Sequence, residues 1–335
     1  TNKFVTDTTL VRDMLHAVKK LKSSVVLFPE AGYTIDGTST TLPDSTGSLV
    51  KMLGVHVVMI TTYGAFARDP LYNNLQVRKV NVSATMEYVL SAEQIKEMSA
   101  AEIDNVLKGK FSFDNFAWQR ENHVKIDAPY RADYLNRVLY KCPSCLAEGK
   151  TVGKGENLYC EACGKTYHLD EYGYLKAEDG VTEFDHVPDW YKWERECVRK
   201  EILDGSYGFD VPCDIMMIVD TKALYKVGSG RLSHNMEEGF HLTGCDGKID
   251  YRQSSDTMYT CEAIPYWYQI DDVIGLGDKR ALYYAFPMEQ KASVKVFKCA
   301  HRKEVREELT QQLMKAVKFG SVGLVFTGNR LDLNE

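Results

Sequence analysis

At 335 residues the chain is long enough for two or three domains, each able to bury its own core. Hydrophobic residues make up 44% and charged residues 26%, far from the composition of a chain that stays disordered. The 41 Lys and Arg are outnumbered by 47 Asp and Glu, a net charge of -6, which disfavours a nonspecific nucleic-acid binder working by phosphate neutralisation.

No run approaches the roughly 18 to 20 apolar residues of a membrane-spanning helix, and the N-terminus lacks the basic, apolar, small-residue order of a signal peptide. The chain opens at Thr1 without an initiator Met and enters structured-looking sequence within a few residues. The expectation is therefore the C-terminal part of a longer protein.

In chain order, Leu10, Met14, Ala17, Val18 and Leu21 recur at helical spacing over 9–21. The unbroken apolar run Val25-Val26-Leu27-Phe28 then reads as a buried strand ended by Pro29. A helix over 45–53, a strand over 55–60 and a third, alternating strand over 77–82 follow. Short apolar strands separated by helices predict an α/β domain with a parallel sheet covered on both faces. From Ser91 the pattern is helical, and Ser91 to Gln94 and Ser99 to Glu102 read as two capping boxes. The aromatic segment 111–122 contains Phe111, Phe113, Phe116 and Trp118, which are expected to cover a flank of the sheet domain.

Nine cysteines are present, and four of them form two Cys-x-x-Cys pairs, Cys142/Cys145 and Cys160/Cys163, with fourteen residues between the pairs. This is a zinc-ribbon spacing: each tight turn points two thiolates at one tetrahedral ion, and a hairpin brings the pairs together. Two disulfides would fit poorly with five further cysteines and no export signal. Four thiolates close the coordination sphere, so the expected Zn²⁺ is structural, and His168 is not needed as a ligand. The remaining cysteines read as small buried hydrophobes.

After an acidic, Gly-containing linker, 190–203 reads as an amphipathic helix. The stretch 211–300 reads as a succession of short strands, and 301–317 as a closing helix with Val305, Leu309, Leu313 and Val317 near one face. That layout resembles a pleckstrin-homology domain in outline only. The expected organisation is thus 1–140 as an α/β domain with a helical extension, 141–170 as a zinc ribbon, and 180–320 as a β-rich (α+β) domain closed by a helix.

Phe28-Pro29-Glu30 at the end of an apolar strand, Gly47 before the next helix and the apolar run 55–60 resemble the third and fourth blocks of the glycerolipid acyltransferase family (1-acyl-glycerol-3-phosphate acyltransferases). The likeness spans about residues 1 to 85, so the first domain would be a partial acyltransferase sheet domain. On position alone, Glu30 either accepts hydrogen bonds from a hydroxylated acceptor beyond a strand's carboxyl end or caps a loop, for example by pairing with Arg68. The resemblance implies the former, with Phe28, Pro29 and Glu30 as substrate-binding residues. It also implies an acyl thioester donor (acyl-CoA or acyl carrier protein), a lipid-like acceptor and a cytoplasmic, bacterial enzyme in peripheral contact with a membrane.

The family's catalytic His-x-x-x-x-Asp pair is absent. His16 is followed at the required spacing by Leu21, and the one match, His241 to Asp246, lies far downstream in a turn-like segment. The catalytic residues are thus expected upstream of Thr1, and this chain alone is expected to be inactive. The arginines of the family's phosphate site are also missing, with Ala31, Gly32 and Tyr33 in one block, leaving Arg68, Arg78 and Lys79 as candidates to replace them. The alternative reading is a non-catalytic binding or scaffold protein built on the zinc ribbon and a degenerate acyltransferase-like domain.

Overall fold

Hydrophobic spacing, caps and turns give helices and antiparallel strands, which a computed structural model describes over 8–30, 34–40, 42, 45–219, 223–254, 262–267, 270–277 and 281–299. The chain divides into two compact units. The first takes 1–133, 154–157 and 167–188, and the second takes 134–153, 158–166 and 189–335, so that the residues expected to form the ribbon are shared between them.

In the first unit, α1 (Thr8–Lys19) and α2 (Thr46–Leu53) pack Met14, Val18 and Leu53 together, with Val25 against them. The helix α2 ends at Gly54 in the left-handed region, where glycine carries no Cβ penalty. Next come β1 (Val57–Tyr63), the single turn α3 (Ala65–Arg68) and β2 (Ser83–Leu90). The strand β1 pairs antiparallel with β2, so the expected parallel sheet is not what these segments form.

Two of the expected strands are also absent. Val25 to Phe28 has no strand partner among the described residues, and Val26 and Phe28 are 75% and 84% exposed. A strand needs a neighbour for its backbone groups, and apolar residues alone do not supply one. Segment 77–82 is held instead by the buried Arg78, whose amide donates to the Arg68 carbonyl, while Val80 N donates to Arg78 O. That local bonding replaces a ladder, and the strand starts at Ser83.

The helices α4 (Ala92–Glu97) and α5 (Ala100–Lys110) begin with the two expected capping boxes, Ser91/Gln94 and Ser99/Glu102. Ile95, Ile103 and Leu107 face Leu42, Val50 and Leu90 in one apolar cluster. Asp114 caps α6 (Asn115–Glu121), which buries Phe116. Trp118 stacks on Tyr63 of β1, and Phe113 meets the same ring edge-on. The aromatic segment therefore covers a flank of the hairpin, as expected.

Four short strands follow in the chain: β3 (Thr151–Lys154), β4 (Asn157–Cys160), β5 (Thr166–Leu169) and β6 (Leu175–Ala177). Within the first unit β5 pairs with β6, Tyr167 opposite Ala177.

Besides most of β3 and β4, the second unit contains α7 (Val187–Asp204) from Asp189 onward, a seven-stranded sheet and a further helix. The strands are β7 (Gly208–Val219), β8 (Ala223–Asn235), β9 (Gly239–Gly244), β10 (Ile249–Gln253), β11 (Glu262–Trp267), β12 (Asp271–Gly277) and β13 (Leu282–Pro287). They form one antiparallel sheet in the order β10-β9-β8-β7-β13-β12-β11. The sheet curls enough for Gln253 of β10 to accept from Gly277 N of β12, and for Tyr251 and Tyr283 to come within 5.1 Å. Cys213, Ile215, Leu232, Leu242, Ile274 and Leu276 fill its inner face, with Val296 of α8 (Gln290–Cys299) among them.

The helix α8 falls inside 211–300, where strands were expected. Ala292 to Val296 are all buried. The alternation of Ala292, Val294 and Val296 with the polar Ser293 and Lys295 mimics a strand. The helix expected over 301–317 lies outside the described residues.

Candidate metal centre

The second unit gathers the four cysteines of the two Cys-x-x-Cys pairs. Each pair sits in a tight turn: Leu146 N and Gly164 N donate back to the Cys142 and Cys160 carbonyls, and the amides of Cys142 and Cys160 donate to Ala147 O and Lys165 O. Leu146 and Gly164 both adopt positive φ, which lets each turn close on its second cysteine. Glu161 N donates to Lys150 O and ties the two turns together.

The four sulfur atoms all lie within 4.8 Å of one another. Cys142 Sγ is 3.8 Å from Cys163 Sγ, and Cys145 Sγ is 3.7 Å from Cys160 Sγ. A disulfide needs about 2.05 Å, so these are not bonded pairs. Four thiolates at about 2.3 Å from one tetrahedral ion would stand about 3.8 Å apart, and the Cys142–Cys163 and Cys145–Cys160 separations match that edge length. The four cysteines can therefore hold one metal ion. Cys142 and Cys160 are buried while Cys145 and Cys163 are exposed, so an ion would be reached from one side.

The protonation environment is uneven. Burial pushes the Cys142 thiol up to about 12 and raises Cys160 as well. The amide of Ala147 hydrogen-bonds to Cys145 and holds its thiol below the ordinary value. Metal binding has to displace the remaining protons.

His168 is not part of the cluster. It belongs to the first unit, with Nδ1 3.0 Å from Asn157 Oδ1 and Nε2 3.4 Å from the buried Arg131 guanidinium. Cys213 is buried in the sheet, and Cys245 Sγ donates to Val227 O. Cys261 lies outside the described residues.

Phe28, Pro29 and Glu30 lie in the first unit. Glu30 Oε1 accepts from Thr40 N at 2.6 Å and from Thr40 Oγ1 at 3.0 Å, so the described contacts of this carboxylate are with a loop threonine and not with Arg68. Phe28 points into solvent. Arg78 is buried among Tyr72, Asn73 and the Arg131 carbonyl, which removes it from the candidates for an anion site, whereas Arg68 and Lys79 are exposed. In the second unit His241 pairs with Asp250 across β9 and β10, at 2.7 Å, and Asp246 occupies a positive-φ turn position.

One group around the cysteines was not anticipated from the sequence. Lys141, Glu148, Glu201 and Lys295 form a mostly buried set of ion pairs beside the first cysteine turn. Charged residues scattered over more than 150 positions carry no motif, and only the fold assembles them.

Comparison with known proteins adds no assignment: no family model, no curated protein and no solved structure matches this chain. No described helix is long and apolar enough to cross a membrane.

Proposed function

We propose that this chain is part of an acyltransferase that moves an acyl group from a thioester to a hydroxyl of a lipid-like acceptor, with a structural Zn²⁺ in the four-cysteine centre. The observation that carries the enzyme reading is Glu30. Its carboxylate is half-buried and oriented by two hydrogen bonds from Thr40, directly after the apolar segment Val25 to Phe28. Among the described residues both bonds fall on Oε1. A carboxylate fixed in this way is suited to accept a hydrogen bond from an acceptor hydroxyl and to position it.

The proton of that hydroxyl has to be taken by a base as the oxygen attacks the thioester carbonyl and the thiol leaves. The resemblance assigns the base to a His-x-x-x-x-Asp pair upstream of Phe28; the one such spacing in these 335 residues, His241 to Asp246, lies far downstream, and its histidine pairs with Asp250 instead, so polypeptide beyond these residues has to supply the base. Zinc is favoured over other ions by the tetrahedral all-thiolate donor set. With four protein ligands it supplies folding energy and takes no step in the reaction.

The test is the reading frame upstream of Thr1 and the activity of the longer protein it encodes. A His-x-x-x-x-Asp pair some tens of residues before Phe28, with transfer of a labelled acyl group from acyl-CoA to a lysophospholipid, is expected. Glu30→Gln should then lower kcat/KM by about tenfold to a hundredfold, the size of one lost positioning bond. A frame without the pair, or turnover by the present chain alone, would sink the proposal.

A second reading, a non-catalytic binding protein, has its own support. Val58 pairs with Tyr88 and Ile60 with Met86 across β1 and β2, and all four side chains are exposed, at 48 to 73%. An exposed apolar ladder of this kind marks a surface made for covering. The same upstream sequence decides between the two readings.

A further inference from the structure

The ion pairs beside the first cysteine turn do more than decorate it. Lys141 and Glu148 flank the turn and face each other across an antiparallel bridge. Lys141 Nζ lies 3.2 Å from Glu148 Oε1 and 3.6 Å from Glu201 Oε1. Lys295 Nζ lies 2.9 Å from Glu148 Oε2 and 2.9 Å from Glu201 Oε2. The four side chains close a ring of alternating charge whose members come from the turn, from α7 and from α8. None is more than 23% exposed.

The backbone of the turn is held as well. Lys141 N donates to the buried Glu194 at 2.8 Å, and Lys141 O accepts from the indole of the buried Trp190 at 3.0 Å. Trp190, Glu194 and Glu201 all sit on α7, so one helix reads the turn at three points. At its other end Gly149 is so close to α8 that an added Cβ would stand 3.1 Å from Lys291 Cβ. The helix α8 in turn places Val296 in the core of the seven-stranded sheet.

We propose that metal occupancy of the four-cysteine centre latches α7 and α8 in place, so that the closing helix of the seven-stranded sheet is docked when the ion is bound and released when it is lost. This rests on the metal reading above. The ring requires Lys141 and Glu148 to be held at one separation, and that separation is set by the turn between them, which contains two of the four ligands. A bound ion clamps the two ligand turns to each other, and on its loss only the backbone hydrogen bonds of the turn are left to keep that separation. A buried ion pair that loses its geometry leaves uncompensated charge in a poorly hydrated place, so Lys295 and Glu201 would move toward water and α8 would lift with them.

The test is hydrogen exchange by mass spectrometry on the full 335-residue chain, with metal content measured in parallel. Stripping with a chelator should raise exchange in 290–299 and in the second half of α7 by about tenfold or more, with protection restored by added Zn²⁺, while the β9-β10 hairpin over 239–253 stays protected. Lys295→Met should release 290–299 to a similar degree with the metal still bound. Unchanged exchange in 290–299 after stripping, an equal rise throughout the sheet, or full protection in metal-loaded Lys295→Met would each overturn the latch. A chain that binds no Zn²⁺ would overturn the metal reading and the latch together, whereas a chain that binds it without affecting α8 would overturn the latch alone.

Discussion

Arg78 Nη2 donates to the backbone carbonyl of Arg131 at 2.9 Å, and both arginine side chains are buried. Arg78 also binds Asn73 Oδ1 and the Tyr72 hydroxyl and lies over the Tyr72 ring. The guanidinium of Arg131 donates to Leu169 O, Ala128 O and Glu156. These two cations tie the loop after β1 to segments more than fifty residues away without forming a sheet. Arg78→Met would leave the buried Asn73 Oδ1 without the two guanidinium bonds it accepts and would leave the Arg131 carbonyl with the Tyr72 hydroxyl at 3.1 Å as its described side-chain donor. The expected cost is about 1 to 3 kcal/mol, read as a lowered midpoint in thermal unfolding. Metal content should be unchanged, because the cysteines belong to the other unit.

The metal centre gives a second prediction. Cys142→Ser and Cys163→Ser should each abolish tight metal binding, since a hydroxyl does not replace a thiolate on a soft site. Cys197→Ser should not. Acid works in the same direction as the substitutions, because protons compete with the ion for sulfur and affinity falls as pH falls. Metal analysis after dialysis at a series of pH values checks both statements, and retention of a full equivalent by Cys163→Ser would remove the four-thiolate assignment.

Gly47 supplies a third. Its amide donates to Asp104 of α5 at 2.6 Å, and a Cβ there would stand 2.2 Å from the Ala100 carbonyl oxygen. The obstacle is backbone, which cannot swing aside, so α2 and α5 would have to separate. Gly47→Ala is expected to destabilise the first unit by about 1 to 3 kcal/mol, the usual range for overpacking. Urea unfolding followed by the fluorescence of Trp118, the first unit's sole tryptophan, measures it. An unchanged midpoint would show that the helices are not in contact at this glycine.

What could be read from the sequence follows the range of the interactions involved. The capping boxes at Ser91 and Ser99 and the cysteine turns are set within four residues, and the structure has them where the residues put them. The segment Val25 to Phe28 and the residues around Arg78 depend on distant partners, and there the local apolar pattern misleads. Helix α8 fails for a third reason: Ala292, Val294 and Val296 alternate with Ser293 and Lys295, which imitates a strand, and the fold buries all five. Of the candidate sites, the cysteines were legible because two spacings define them. The ring of Lys141, Glu148, Glu201 and Lys295 was not, because nothing local relates its members.

That ring carries the last prediction, a pH window. Burial works against the charge on Glu148, but the hydrogen bonds and positive charges of Lys295 and Lys141 together outweigh it and hold the carboxyl below its ordinary value of 4.5. Burial also works against the charge on Lys295, and the hydrogen bonds and negative charges of Glu148 and Glu201 together outweigh it and raise the amine above 10.5. A depressed carboxyl stabilises the fold above its unfolded value and loses that contribution as pH falls through the folded one; a raised amine stabilises below its unfolded value and loses its share as pH rises through the folded one. The ring therefore contributes fully between about 5 and 10 and fades outside those limits. Removing it flattens the dependence at both ends. Lys295→Met should lower stability across the window and give a shallower loss above pH 10.5 than the unaltered chain. Denaturant unfolding at fixed free Zn²⁺ over this range separates the ring from proton competition at the thiols, and parallel curves for the two proteins would mean that Lys295 is not charged and paired as the structure has it.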